Sequence, residues 1–126
     1  MNFPKELKYT SDHEWILVQG ETALVGITDY AQSQLGEVVF VDIPTEGETV
    51  SQAEVFGSIE AVKTVSDLLM PVTGEILEVN PALESHPELV NQSPYNEGWL
   101  IKIRPVDPSE TESLMSDEAY SELIGE

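Results

Sequence analysis

The sequence predicts a mainly β protein, folded as a sandwich or flattened barrel, with a few short helices that include a C-terminal one. Many short runs rich in Val, Ile, Leu, Phe and Thr alternate with turn residues, and the helix-capping patterns between them are short. The 126 residues are 40% hydrophobic, and no Gly/Ser-rich or Pro-rich linker divides them. We therefore expect a single domain over residues 1–126.

The first predicted elements are a β-hairpin and a short helix. Residues 14–28 are rich in strand-forming side chains and are broken by the turn sequence Gln19-Gly20-Glu21. Thr28 is placed to cap a helix that runs to Leu35, and Gly36 is placed to end it in a left-handed conformation.

Further strands are predicted at residues 37–43, 49–59, 68–79 and 99–103. A turn at residues 45–48 separates the first two, and Pro71 and Gly74 interrupt the third.

Short helices are predicted at four places in the second half. Asn80-Pro81 and His86-Pro87 open helical turns, because proline fits the first position of a helix. The sequence Asp107-Pro108-Ser109-Glu110 has the pattern of a capping box, and Ser116 opens a last helix that runs toward Ile124.

The charge of the chain argues against two classes of partner. Its 24 Asp and Glu residues against five Lys and Arg give a formal net charge of −19, which repels nucleic-acid phosphates and anionic lipid headgroups. Partners with basic faces are favoured; the alternative is that the acidity only maintains solubility. No run of about 20 apolar residues and no signal-peptide pattern occurs, so we expect a cytoplasmic protein with no membrane contact.

One lysine stands out from this acidic background. Lys63 is the only cation between Lys8 and Lys102, and Val62 and Val65 lie within two residues of it. We expect these valines to pack into a rigid, protruding turn that holds the lysine clear of the domain. The alternative is an ordinary surface lysine. Because the chain has no cysteine, any sulfur chemistry requires an attached group.

The segment around Lys63 resembles the attachment hairpin of lipoyl and biotinyl domains, in which a lysine precedes Pro-x-x-Gly, here Pro71 to Gly74. Biotin carriers usually flank the lysine with methionines, whereas Val62 and Thr64 stand here, which favours lipoate. Further matching blocks are Tyr9-Thr-Ser-Asp-His13-Glu14-Trp15, Val25-Gly-Ile-Thr-Asp29, Leu35-Gly-Glu-Val-Val-Phe40-Val41, Gly74-Glu-Ile-Leu-Glu-Val-Asn80 and Gly98-Trp99-Leu-Ile-Lys-Ile103. Together these blocks resemble the glycine cleavage H-protein family.

The resemblance implies a lipoyl domain of the barrel-sandwich hybrid type that carries lipoate in amide linkage on Lys63. It further implies a monomeric carrier, not an enzyme, that shuttles an aminomethyl group between enzymes. The implied partners are a pyridoxal-phosphate glycine decarboxylase, a tetrahydrofolate-dependent aminomethyltransferase, dihydrolipoyl dehydrogenase and a lipoylating enzyme.

A lipoyl arm that is loaded with an aminomethyl group carries a positive charge, and water would hydrolyse that group from the arm. Protection therefore requires an apolar cleft with a carboxylate at its end. Glu14, within the His13-Glu14-Trp15 block, and Asp67, four residues after Lys63, are the candidates. The alternative is that both are solvated surface carboxylates.

Three other interpretations stay open at this point. The chain is a relay protein that donates lipoate to other complexes, or an unmodified scaffold that binds a partner through its acidic face, or an enzyme. The last has least support, because no nucleophile and base pair or nucleotide loop is recognisable. His13 and His86 are the only histidines, too few to predict a metal site; His13 is expected to be a structural neighbour of Trp15.

Overall fold

The computed structural model describes residues 1–126, which form nine strands and five short helices. The strands are β1 (Lys8–Tyr9), β2 (Glu14–Gln19), β3 (Thr22–Ile27), β4 (Val38–Asp42), β5 (Thr49–Val50), β6 (Val55–Ala61), β7 (Val65–Leu69), β8 (Gly74–Val79) and β9 (Ile101–Pro105). The helices are α1 (Asp29–Leu35), α2 (Ala82–Ser85), α3 (Leu89–Gln92), α4 (Pro108–Glu112) and α5 (Asp117–Ile124). The predicted mainly β fold with short helices is confirmed.

The strands form two antiparallel sheets that share one core. The large sheet has the order β1-β2-β3-β9-β8-β5, and the small sheet has the order β4-β6-β7. Alternate residues of a strand point to the same face, and 17 buried hydrophobic residues meet between the sheets. They include Val25 and Ile103 from the large sheet and Ile59 and Leu68 from the small one. The predicted sandwich is confirmed.

A second hydrophobic cluster attaches helix α5 to the large sheet. It consists of Leu7, Tyr9, Trp15 and Tyr120, all at most 4% exposed. Trp15 pairs with Gly26 across β2 and β3, and a Cβ atom at Gly26 would come within 2.6 Å of the Trp15 ring. Only glycine therefore lets Trp15 lie against the neighbouring strand.

The predicted helix caps are confirmed in part. Thr28 Oγ1 accepts a hydrogen bond of 3.1 Å from the Ala31 N–H, which caps α1, and Ser116 caps α5 in the same way. Gly36 ends α1 at φ +80° as expected, but its ψ of −156° lies outside the left-handed helical region. The chain turns away into β4 at this residue, in a conformation that almost only glycine adopts.

Two predicted strands were wrong as single elements, because each is divided between the sheets. The strand predicted at residues 49–59 contains β5 of the large sheet and most of β6 of the small one. The strand predicted at residues 68–79 contains the end of β7 in the small sheet and all of β8 in the large one. The two crossings run side by side: the Ala53 N–H donates to the Met70 carbonyl at 2.8 Å, and the Met70 N–H donates to the Glu54 carbonyl at 2.9 Å. These bonds join residues distant in sequence, which local patterns do not reveal.

Smaller differences concern element ends. The strand predicted at residues 99–103 lies at Ile101–Pro105. Pro81 and Pro87 precede α2 and α3 instead of taking their first positions. The capping box is only half formed, because Glu110 accepts from the Thr73 N–H at 2.7 Å and does not return to Asp107.

Candidate functional site

Lys63 lies at the tip of the hairpin formed by β6 and β7. Glu60 pairs with Val65, and the Ala61 N–H donates to the Thr64 carbonyl at 2.7 Å, which leaves Val62 and Lys63 as the connecting residues. The Val62 N–H also donates to the Glu37 carbonyl at 2.9 Å. Backbone hydrogen bonds on both sides of Lys63 therefore hold the tip in place.

The valines beside the lysine do not stiffen the turn by packing, which corrects the expectation from sequence. Val62 is 71% exposed and Val65 is 64% exposed. The hairpin protrudes, so residues at its tip and on its outer face have no neighbouring layer to pack against. The turn is held by its backbone instead.

The Lys63 side chain is exposed and makes no hydrogen bond or ion pair within residues 1–126. Its stem lies over the end of helix α1: a Cβ atom at Gly36 would be 3.2 Å from Lys63 Cε and 3.8 Å from Nζ. The amine is thus free to react and lies beside α1.

A cavity of about 340 Å³ lies next to this position. Helix α1 lines it with residues that include Tyr30 and Leu35, and the small sheet lines it with residues that include Ile59 and Leu68. Leu35 directly precedes Gly36, the residue against which the Lys63 stem rests. A flexible group attached to Lys63 therefore has beside it a cavity that is lined by apolar and polar residues in equal number.

Glu14 is a buried polar residue in the wall of this cavity. It is 3% exposed, its Oε2 accepts from the Leu69 N–H at 2.9 Å, and its Oε1 accepts from the Thr10 hydroxyl at 3.2 Å. When ionised, a carboxylate has about four acceptor positions, so about two would remain for a further donor. Burial raises the pKa of Glu14 from its ordinary value of 4.5 to about 8, against the opposing effect of the hydrogen bond from Leu69.

Asp67 lines the same cavity but differs from Glu14 in its environment. It is exposed and lies on β7, an edge strand of the small sheet, on the strand face that also presents Val65. The structure therefore brings both predicted carboxylates to one cavity, Glu14 as a buried group and Asp67 as an exposed one. No hydrogen bond joins them.

One polar network near the cavity was missed from sequence. The Tyr120 hydroxyl lies 2.9 Å from His13 Nδ1 and 2.8 Å from Thr28 Oγ1, and thereby links helix α5 to the residue before Glu14 and to the cap of α1. His13 has φ +69°, and its ring lies against Tyr30 and Tyr120. Burial lowers the pKa of His13, against an opposing effect of Asp12. The positions of Tyr120 and His13 in the sequence, 107 residues apart, gave no signal of this contact.

Comparison with known proteins places this geometry in a family. The family model described as "Glycine cleavage H-protein" matches residues 7–126. The chain belongs to the glycine cleavage H-protein family. It is 63% identical over 124 residues to the glycine cleavage system H protein of Bacteroides thetaiotaomicron, and 60% identical over 124 residues to that of Bacteroides fragilis. Both alignments cover 98% of this chain and 98% of the relative.

The fold of a solved family member agrees with this result. The crystal structure of a glycine cleavage system H protein from Mycobacterium marinum superposes with a TM-score of 0.90 at 38% identity, covering 98% of this chain and 100% of that one. The chain is a lipoyl carrier of the glycine cleavage system. None of its five helices combines the length and the apolar character needed to cross a bilayer.

Proposed function

We propose that Lys63 is the residue on which this glycine cleavage carrier bears its lipoyl group. The observation that carries the proposal is an exposed, unpaired amine at the tip of a hairpin whose backbone is fixed on both sides. When bound, lipoate supplies a redox-active disulfide, which a chain without cysteine lacks. The two connecting residues of the hairpin present the lysine to solvent, so that modifying and partner enzymes reach it from outside.

Glu14 is proposed to receive the cationic end of a loaded arm. A lone buried carboxylate costs free energy to ionise, so the folded protein at pH 7 holds Glu14 protonated, with a pKa of about 8. An ammonium group within about 4–6 Å favours the ionised carboxylate. Entry of the cation therefore replaces a bound proton, and the cavity becomes an ion-pair site without gaining net charge.

Asp67 is proposed to act at the exposed part of the same cavity. An exposed carboxylate attracts a cation only weakly, because water and salt screen it. Its contribution is therefore smaller than that of Glu14. Hydrolysis of the loaded arm should accelerate strongly in Glu14→Ala and less in Asp67→Ala; rates equal to the parent in both variants would discard the shelter model.

The proposed role also covers the partner enzymes of the chain and its cellular location. We propose that the chain, a single monomeric cytoplasmic domain without catalytic activity of its own, takes the aminomethyl group from glycine decarboxylase to aminomethyltransferase and is reoxidised by dihydrolipoyl dehydrogenase. The names of its relatives favour this over a lipoyl relay role.

A reconstituted reaction tests the role. With the three enzymes and lipoylated parent, glycine-dependent release of carbon dioxide is expected, and Lys63→Arg treated identically should support none. The chain without the enzymes should release none. Equal release by parent and Lys63→Arg would refute the assignment.

A further inference from the structure

The outer face of the small sheet carries a group of exposed apolar side chains around the Lys63 hairpin. Val39 is 43% exposed, Phe40 57%, Val62 71% and Val65 64%. We call these four residues the hairpin patch. The other large exposed hydrophobics are Met1, Val18, Val55, Val106 and Leu123, and none of them lies at the hairpin tip. A group of four beside a reactive lysine is different, because clustered apolar exposure marks contact sites.

Strand register brings the patch together. Phe40 pairs with Glu60, and Glu60 pairs with Val65, so these residues form one row across the three strands on the outer face. A register shift between Val38 and Phe40 leaves Val39 as an extra residue in β4. A bulge of this kind redirects side chains, which explains why two successive residues of β4 are exposed.

Apart from Lys63, the charges in and around the patch are all negative. Glu37, Asp42, Glu60 and Asp67 are exposed carboxylates in or next to the small sheet, and Lys63 is its only cation. Amide formation on Lys63 removes that cation. Glu60 lies within the patch, between Phe40 and Val65, and the other carboxylates lie around it. A complementary partner surface is therefore apolar and carries basic side chains within and around the contact.

We propose that the hairpin patch is the docking surface for the lipoylating enzyme, a partner whose contact surface is apolar and carries basic side chains. This inference rests on the proposed function of Lys63. Attachment joins Lys63 Nζ to the carboxyl carbon of an activated lipoyl donor such as lipoyl adenylate, and the bond to the AMP leaving group breaks. The ammonium gives up one proton to a base before the attack, and the nitrogen gives up a second as the amide forms.

Among the enzymes that contact the carrier, the attachment chemistry favours the lipoylating enzyme as the partner of the hairpin patch. Bond formation at Nζ brings the catalytic centre within one lysine side chain of the hairpin, so the enzyme contacts the residues that flank the tip. Enzymes that act on the disulfide work at the far end of a flexible arm and have no such requirement. The patch therefore matches the step that takes place on the lysine itself.

The test compares threonine substitutions in the unmodified chain. Phe40→Thr and Val65→Thr remove apolar surface while keeping strand preference. Val55→Thr is the matched control, because Val55 is 50% exposed on β6, at the opposite end of the same hairpin. The measurements are kcat/KM for lipoylation by a purified ATP-dependent lipoylating enzyme, and the Kd of that enzyme for each variant in a Lys63→Arg background.

We expect Phe40→Thr to lower kcat/KM and weaken the Kd about tenfold, Val65→Thr about threefold, and Val55→Thr not at all. Added salt should weaken binding of the parent, because carboxylates lie in and around the patch. Lipoylation of Phe40→Thr at the parent rate overturns the inference. So does a loss confined to the reactions of the loaded arm, which would assign the patch to a later enzyme. If the parent itself is not lipoylated at Lys63, the proposed function fails first.

Discussion

The buried carboxyl of Glu14 makes stability depend on pH in a way that one substitution removes. Its pKa is about 8 in the folded protein against an ordinary value of 4.5. The folded state therefore binds the proton more tightly than the unfolded state, and unfolding becomes easier as pH rises. The contribution is full below pH 4.5 and is lost as pH rises through about 8. Since a tenfold change in proton affinity corresponds to about 1.4 kcal/mol, the total is about 5 kcal/mol.

Glu14→Gln is the perturbation that isolates this effect, since the amide oxygen still accepts one hydrogen bond and does not titrate. The free energy of unfolding is measured by urea denaturation from pH 5 to pH 9 for parent and variant. Their difference cancels the other titrating groups, and it should shift in favour of the variant by several kcal/mol between these limits. Asp67→Asn, an exposed carboxyl of the same cavity, is the control. A difference between parent and Glu14→Gln that does not change with pH would refute the reasoning.

Two further predictions concern the residues that hold the site. Tyr120→Phe should lower the free energy of unfolding, measured in urea, by about 1–3 kcal/mol, because His13 and Thr28 lose a buried partner. Tyr9→Phe loses only one hydrogen bond and should lower it by about 1 kcal/mol. Equal losses in the two variants would contradict this reasoning. Gly36→Ala should cost about 1–3 kcal/mol through its backbone conformation and shift the NMR signals of the Lys63 Cε methylene. Gly47→Ala, at φ +90° in open space, should leave those signals unchanged.

Local signals in the sequence were sufficient for most elements of the fold. The turn at Gln19-Gly20-Glu21 and the caps at Thr28 and Ser116 depend on residues within a few positions of each other, and the structure has all three. The division of residues 49–59 between two sheets depends instead on two hydrogen bonds with Met70. The Ala53 N–H donates to the Met70 carbonyl, and the Met70 N–H donates to the Glu54 carbonyl. Such a crossing leaves no periodic pattern, since both halves have strand composition.

The site was predictable to a similar degree. The isolation of Lys63 in the sequence and the family resemblance drew attention to it, and the resemblance together with the need for shelter singled out Glu14 and Asp67. The exposure of Val62 and Val65 was not predictable, because valine is usually buried and only the three-dimensional arrangement shows that nothing covers the hairpin tip. Tyr120 reaches the site from the C-terminal helix, which no local pattern connects to His13.

The most direct test of the account is intact-mass analysis followed by peptide mapping after incubation with a lipoylating enzyme, ATP and lipoate. The parent should gain the mass of one lipoyl group, located on the peptide that contains Lys63, and Lys63→Arg should gain none. A parent that stays unmodified, or a lipoyl group located on Lys5, Lys8 or Lys102, would contradict the account.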